Sequence, residues 1–282
     1  DDKWTQQAKF TSDDSSDAED QFGVSVSLDG DTAIVGCPGE DSYRGSVYIF
    51  VRSANGTWIR QAKITEEYRG LYYYFGRSVS LDGNKVLIGA DSGDSFGAAY
   101  IFVRSIDGTW TQEAQLTASD WAAGDSFGDS VSLDGDTALI GTWHDNDNGH
   151  DSGSAYIFVR TENGMWTEQQ KLTADDGAYR ERFGSHVSLH GNIAMIAAMR
   201  DDAFGSNAGS VYIFSRVGNI WKQQQKINPE DGAAEDRFSA IAQDGHTALV
   251  GAPGKDSYRG AAYFFTRGHA NMAPMYKLLF LK

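Results

Sequence analysis

A tryptophan returns along this chain at Trp4, Trp58, Trp110, Trp166 and Trp221, spaced 54, 52, 56 and 55 residues apart. A second marker, Phe followed by Gly, returns at Phe22, Phe75, Phe127 and Phe183 and ends as Phe238-Ser239, spaced 53, 52, 56 and 55. Two independent markers sharing one period mean five copies of a supersecondary unit. Such a unit cannot bury its apolar face alone and stacks on its neighbours.

Each unit holds four runs rich in β-branched and aromatic residues, bounded by Gly, Asp, Asn and Ser. In unit one they read FGVSVSL, TAIVG, SVYIFVR and TWIRQAKI. No run carries a sustained 3.6-residue apolar period, so helices should be rare. Four antiparallel strands per roughly 50 residues, repeated, describe a β-propeller blade. The expectation is an all-β, five-bladed propeller forming a single domain over residues 1–282, its repeats about 52–56 residues long. The chain opens on WTQQAKF, a fourth-strand sequence with no strands before it, which is expected to complete the fifth blade and close the ring. The alternatives are that the C-terminal MYKLLFLK takes that place, or that the chain is part of a larger ring.

Charge narrows the partners. Thirty-nine acids against 24 Lys and Arg give a formal charge of −15, which repels phosphate backbones and anionic membranes and sets nucleic acid aside. No apolar run reaches the length of a membrane-spanning helix. The start, DDKWTQQ, does not resemble a signal peptide; one already removed would fit an extracellular or cell-surface location. The single cysteine, Cys37, excludes an intrachain disulfide framework and reads as a small buried hydrophobe.

The Phe-Gly step, together with Gly36-Cys37-Pro38 and Gly251-Ala252-Pro253 and the Tyr-Ile-Phe-Val-Arg run, resembles the FG-GAP repeat family, which includes the propeller head of integrin α subunits. The resemblance spans residues 1–267. It implies adhesion or ligand binding at a surface, with no defined chemistry, and fold analogy alone assigns no function. In integrin-type blades the turn between the first two strands is a long acidic calcium loop. Here it shrinks to Asp29-Gly30-Asp31, Asp82-Gly83-Asn84 and Asp134-Gly135-Asp136, too few oxygens for an ion that takes six to eight ligands. Asp-Gly between strands is a tight-hairpin signal instead, and His190-Gly191-Asn192 keeps only the glycine.

One insertion does resemble a calcium loop: Trp143-His144-Asp145-Asn146-Asp147-Asn148-Gly149-His150-Asp151. Asp145, Asp147 and Asp151 stand at even spacing with Asn and Gly between them, as a candidate Ca²⁺ site or a solvated acidic loop. The pairs Asp175-Asp176 and Asp201-Asp202 read as solvated loop acids. A second candidate surface lies in the loops leading into each Phe-Gly. Unit two carries Tyr68, Tyr72, Tyr73 and Tyr74 there, and Trp121 and Tyr179 add aromatics from units three and four. With Trp143, these rings either bind a protein or glycan partner or pack between blades. The six histidines show no periodic carboxylate or nucleophile partner, although His186 is placed to face a central channel. The expected function is a non-enzymatic extracellular binding or scaffold module, open to membership of a larger assembly, with a lectin as the alternative and a polysaccharide lyase or hydrolase as a third reading.

Overall fold

A computed structural model describes residues 4–12, 19–66, 73–91 and 97–268. Tyr68, Tyr72 and the MYKLLFLK segment lie outside them.

The described residues form five antiparallel sheets, one per repeat, each with its strands in chain order. Blade 1 is Val26–Asp29, Thr32–Cys37, Ser46–Arg52 and Trp58–Ile64. Blade 2 is Phe75–Asp82, Lys85–Ala90, Ala98–Arg104 and Trp110–Leu116, and blade 3 is Ser130–Asp134, Thr137–Thr142, Ser154–Arg160 and Trp166–Leu172. Blade 4 is Phe183–His190, Ile193–Ala198, Ser210–Val217 and Ile220–Ile227, and blade 5 is Ala240–Gln243, Thr247–Ala252 and Ala261–Thr266. First strands of neighbouring blades touch one another, which places them innermost. The protein is an all-β, five-bladed propeller.

The apolar core lies between blades. Ile34, Val47 and Ile49 of blade 1 face Phe75, Leu81 and Tyr100 of blade 2. Leu87, Ala99 and Ile101 of blade 2 face Phe127, Val131 and Leu133 of blade 3 in the same way. Phe75, Phe127, Phe183 and Phe238 are all fully buried, each contributing on the order of 2–3 kcal/mol through area removed from water.

The geometry explains why the two glycines of the motif recur. A Cβ on Gly36 would stand 2.1 Å from the carbonyl oxygen of Gly76 in the next blade, and one on Gly89 2.0 Å from that of Gly128. The second strand's glycine therefore meets the next blade's Phe-Gly step, and only hydrogen at both positions allows so close an approach. Serines bridge the same contact: Ser25, Ser78 and Ser130 donate through Oγ to the carbonyls of Gly76, Gly128 and Gly184 at 2.7–2.8 Å.

Asp-Gly closes two-residue hairpins, with Asp29 paired to Thr32 and Gly30 at φ 54. Its carboxylate has a further task. Asp29 Oδ2 accepts the backbone N–H of Gly83 at 2.7 Å, Asp82 that of Gly135 at 2.6 Å, and Asp134 that of Gly191. Each turn thus latches the next blade's turn. His190 ends the series, and Asp244 turns inward to accept the N–H groups of His246 and Thr247 in its own turn.

One expectation at the start of the chain needs correction. Residues 4–12 form no strand and the fifth sheet has three strands among the described residues, so WTQQAKF does not complete it here. Phe10 of this segment stacks on Phe50 of blade 1 at 4.1 Å and meets Trp58 edge-on. Among the described residues helical geometry is confined to the turns Glu40–Tyr43 and Lys255–Tyr258, as expected, and their Asp-Ser-Tyr residues have φ between 52 and 69 and so wind left-handed.

Candidate functional site: the loop rim of blades 3 and 4

The acidic loop of blade 3 is organised around a lysine. Lys171, from the fourth strand, donates to Asp120 and Asp145 at 2.8 Å each and to Asp147 at 2.5 Å. Tyr156 donates to Asp120 and Asp145 from the third strand. Burial alone would lower the Lys171 pKa, but the hydrogen bonds it donates to three carboxylates outweigh it and hold the ammonium well above its usual range. Asp151 turns the other way, to His144 Nδ1 at 2.8 Å and His150 Nδ1 at 3.1 Å. Asp145 and Asp147 thus face an ammonium while Asp151 faces two imidazoles. Among the described residues no group of three or more His, Cys, Asp or Glu is arranged to hold a metal ion.

This cradle repeats. In blade 4, Lys226 and Tyr212 share Asp176 and Asp201. Asp201 is fully buried, which corrects its reading as a solvated loop acid, whereas Asp175, Asp176 and Asp202 are exposed as that reading expects. In blade 1, Glu40 accepts from Tyr48 at 2.8 Å and Lys63 at 2.9 Å. Burial pushes the neighbouring Cys37 thiol up to about 12, with Glu40 and Asp20 adding to the shift, so it stays protonated and unreactive. Blade 5 exchanges the charges: Lys255 stands where blade 1 has Glu40 and pairs with Asp231 and Asp236.

Blade 2 departs from this pattern among the described residues. Gln115 replaces the lysine and donates to Tyr100 at 3.2 Å, while Tyr73 shares a 2.6 Å hydrogen bond with Tyr100. Tyr73 holds the position two before the Phe where the other blades carry Asp20, Asp125, Glu181 and Asp236. It is buried and belongs to the blade 1–blade 2 core, which corrects its reading as a loop aromatic. Tyr74 is half-buried, tilted against Tyr43 at 5.4 Å.

Of the other loop aromatics singled out in the sequence, Trp121 and Tyr179 are exposed and Trp143 is half-buried. Trp143 and Tyr179 come together at the junction of blades 3 and 4, where Arg180 and Arg182 donate their backbone N–H groups to the carbonyls of His150 and Asp151 at 2.8 and 3.0 Å. The Arg182 guanidinium lies 4.0 Å from the centroid of Trp143, and Arg180 lies 5.0 Å from that of Tyr179, both in cation–π range. The Arg182 Nε atom is buried without a hydrogen-bond partner. Burial lowers the Arg182 pKa, and the nearby charges of Arg200 and Arg180 lower it further. Three arginines thus gather at this junction, with Asp151 and Asp129 close by and opposing their effect on Arg182.

Beside this junction Arg77 pairs with Asp129 at 3.2 Å. His186 lies near both, and burial pulls its imidazole below the usual range. Asp91 is pushed upward by burial and then by Asp129. Residues before each Phe-Gly, including Tyr74, Ser126, Arg182 and Arg237, all have φ between 50 and 60. Because this left-handed step is periodic, it belongs to the blade design and does not mark the site.

The FG-GAP repeat profile matches residues 4–50, 58–102, 110–158, 166–214 and 221–265, in register with the five tryptophans. The chain belongs to the FG-GAP repeat family. An FG-GAP propeller of this form is a binding or scaffold module. Its Phe-Gly step and the second-strand glycine (Gly36, Gly89 and Gly141) are here the two halves of one blade-to-blade contact, which leaves the rim loops free to vary. Sequence reasoning placed Trp143 and Tyr179 but missed Arg180, Arg182 and Arg200. The available signal was that unit four alone places arginines on both sides of the loop residue Glu181.

Proposed function

We propose that this FG-GAP propeller is a non-enzymatic binding module working outside the cell or on its surface, and that it engages an acidic protein segment or an acidic glycan at the junction of blades 3 and 4. The observation that supports this reading is the convergence of Trp143 and Tyr179 with Arg180, Arg182 and Arg200 on one rim. The aromatic faces suit stacking on a sugar ring or an apolar side chain, and the arginine forks suit a carboxylate or sulfate. An anionic group seated there would relieve the mutual repulsion of the arginines and provide a partner for Arg182 Nε. A lectin with five equivalent pockets fits less well, because among the described residues the other three blade-to-blade junctions lack this set.

The test is a glycan array with acidic and neutral members, run beside capture of proteins from source material, with wild type and a Trp143→Ala/Arg182→Ala variant. Binding of an acidic ligand that the variant loses supports the reading. Ligands retained equally by the variant would overturn it.

A further inference from the structure

Among the described residues Arg180, Arg182 and Arg200 form no ion pair, in a protein with an excess of acids. The carboxylates around them are committed elsewhere. Asp151 faces His144 and His150, Asp129 pairs with Arg77 and Asp201 is held by Lys226. Glu181, which stands between the first two arginines, turns its Oε2 away to accept the N–H of Ala178 at 2.8 Å. Arg182 Nε is buried with no hydrogen-bond partner at all. The charges of Arg200 and Arg180 both bear on Arg182, so the three guanidiniums share one neighbourhood.

Two separate loops deliver these cations. Arg180 and Arg182 stand two residues apart on the loop entering blade 4, pinned through their N–H groups to the carbonyls of His150 and Asp151. Arg200 follows the second strand of blade 4 and donates its own N–H to the carbonyl of Glu181 at 3.1 Å. A carboxylate offers two oxygens in one plane, which matches a single guanidinium fork. A sulfate or phosphate ester offers three terminal oxygens around a tetrahedral centre, which three guanidiniums on two loops can share.

An open ring lies beside them. Trp143 is covered, by Arg182 at 4.0 Å and by the His144 ring at 3.3 Å. Tyr179 is 61% exposed, with the exposed His150 ring 6.0 Å from its own. The backbone of Tyr179 packs on Gly149, where a Cβ would stand 3.5 Å from its Cα, and the exposed amide of Asn148 precedes that glycine. An aromatic face bordered by an amide and an imidazole suits the C–H face of a sugar with hydroxyls at its edge. A peptide side chain on Tyr179 would make no use of those polar groups.

We infer that the ligand of this rim is a sugar carrying a tetrahedral oxyanion ester, sulfate or phosphate, with the ester among Arg180, Arg182 and Arg200 and the ring on Tyr179. This rests on the binding function proposed for the rim and narrows it to one anion geometry. Arg182 Nε donates to one terminal oxygen, and Arg180 and Arg200 take the others.

Titration of the full chain at constant ionic strength tests the anion, read by calorimetry and by the NMR signal of Arg182 Nε–H. The probes are inorganic sulfate, inorganic phosphate and acetate, then glucose 6-sulfate, glucose 6-phosphate and glucuronate, which place three anions on one ring. A tetrahedral ester is expected to bind about tenfold or more tightly than glucuronate, the scale of one charge-assisted hydrogen bond; the tighter of the two identifies the ester. Arg200→Gln and Arg182→Lys remove that preference, the second while keeping the charge. Tyr179→Ala weakens the sugar esters and leaves the inorganic anions unchanged. Acetate and glucuronate binding as well as their tetrahedral counterparts would overturn the inference. If that binding still needs Arg182, the acidic-ligand function survives and only the anion geometry falls; if it ignores Arg182 and Trp143, both fall. A phosphoserine peptide that binds more tightly than either sugar ester, unaffected by Tyr179→Ala, would also overturn it, as would no binding of any probe.

Discussion

The Lys171 ammonium lies 2.8 Å from the buried Asp145 carboxylate, at the centre of a loop whose aspartate spacing suggests calcium. A buried carboxylate paired in this way depends on its partner, so Lys171→Met is expected to destabilise the fold by about 3 kcal/mol, from the cost of an uncompensated buried charge. Chemical denaturation reads this directly. A loss below about 1 kcal/mol, the ordinary scale of a surface pair, would show that water already screens the cradle.

The same lysine bears on calcium. With the ammonium in place, millimolar Ca²⁺ is expected to leave the melting temperature of the wild type unchanged. In Lys171→Met the freed Asp120, Asp145 and Asp147 make melting calcium-sensitive. A calcium-dependent rise in the wild type would mean that the ion displaces Lys171.

Core packing is concentrated at the Phe-Gly rings. Phe183 is 1% exposed between Leu189, Tyr212 and Phe214, and Phe183→Ala is expected to cost about 3–5 kcal/mol. The Asp-Gly latches are weaker. Asp82→Ala leaves the exposed N–H of Gly135 to water and should cost about 1 kcal/mol, Asp82→Asn less, since the amide oxygen still accepts. Equal losses for Asn and Ala would show that the latch is not a hydrogen bond.

His186 gives the fold a pH dependence of defined sign. Its folded-state pKa lies below 6.5, pulled down by burial and by the neighbouring Arg77 charge, with Asp129 opposing. The unfolded chain therefore binds the proton more readily. The contribution of His186 to stability is complete above about pH 6.5 and is lost as pH falls below it. Asp91, with a raised pKa, acts in the opposite direction and adds stability as pH falls through its folded value. His186→Gln should flatten the decline between pH 7 and 5, measured as melting temperature against pH; an unchanged slope assigns the decline elsewhere.

The architecture was legible because inter-blade packing demands the same large residue at the same place in every copy. Trp58, Trp110, Trp166 and Phe75, Phe127, Phe183 could not drift without opening a junction. The cradle was not legible, because its members are far apart in sequence: Asp120, Asp145 and Lys171 meet only through the strand order. Its trace is readable when the units are aligned on their tryptophans, each of which stands five residues before the position concerned. Lys63, Lys171 and Lys226 then occupy one position, and Gln115 breaks the series in the one unit that puts tyrosine where the others place acids. The rim site was half legible, since its aromatics stand out in the loops, whereas Arg182 and Arg200 come from separate loops that only the fold brings together.

The binding account rests on where a partner touches the propeller. Hydrogen–deuterium exchange of the protein with and without its recovered ligand reads this residue by residue. Protection over Trp143–Asp151 and Tyr179–Arg182, absent in Trp143→Ala/Arg182→Ala, is the expected result. Protection confined to the Asp-Gly turns, with the blade 3–blade 4 rim unchanged, would contradict it.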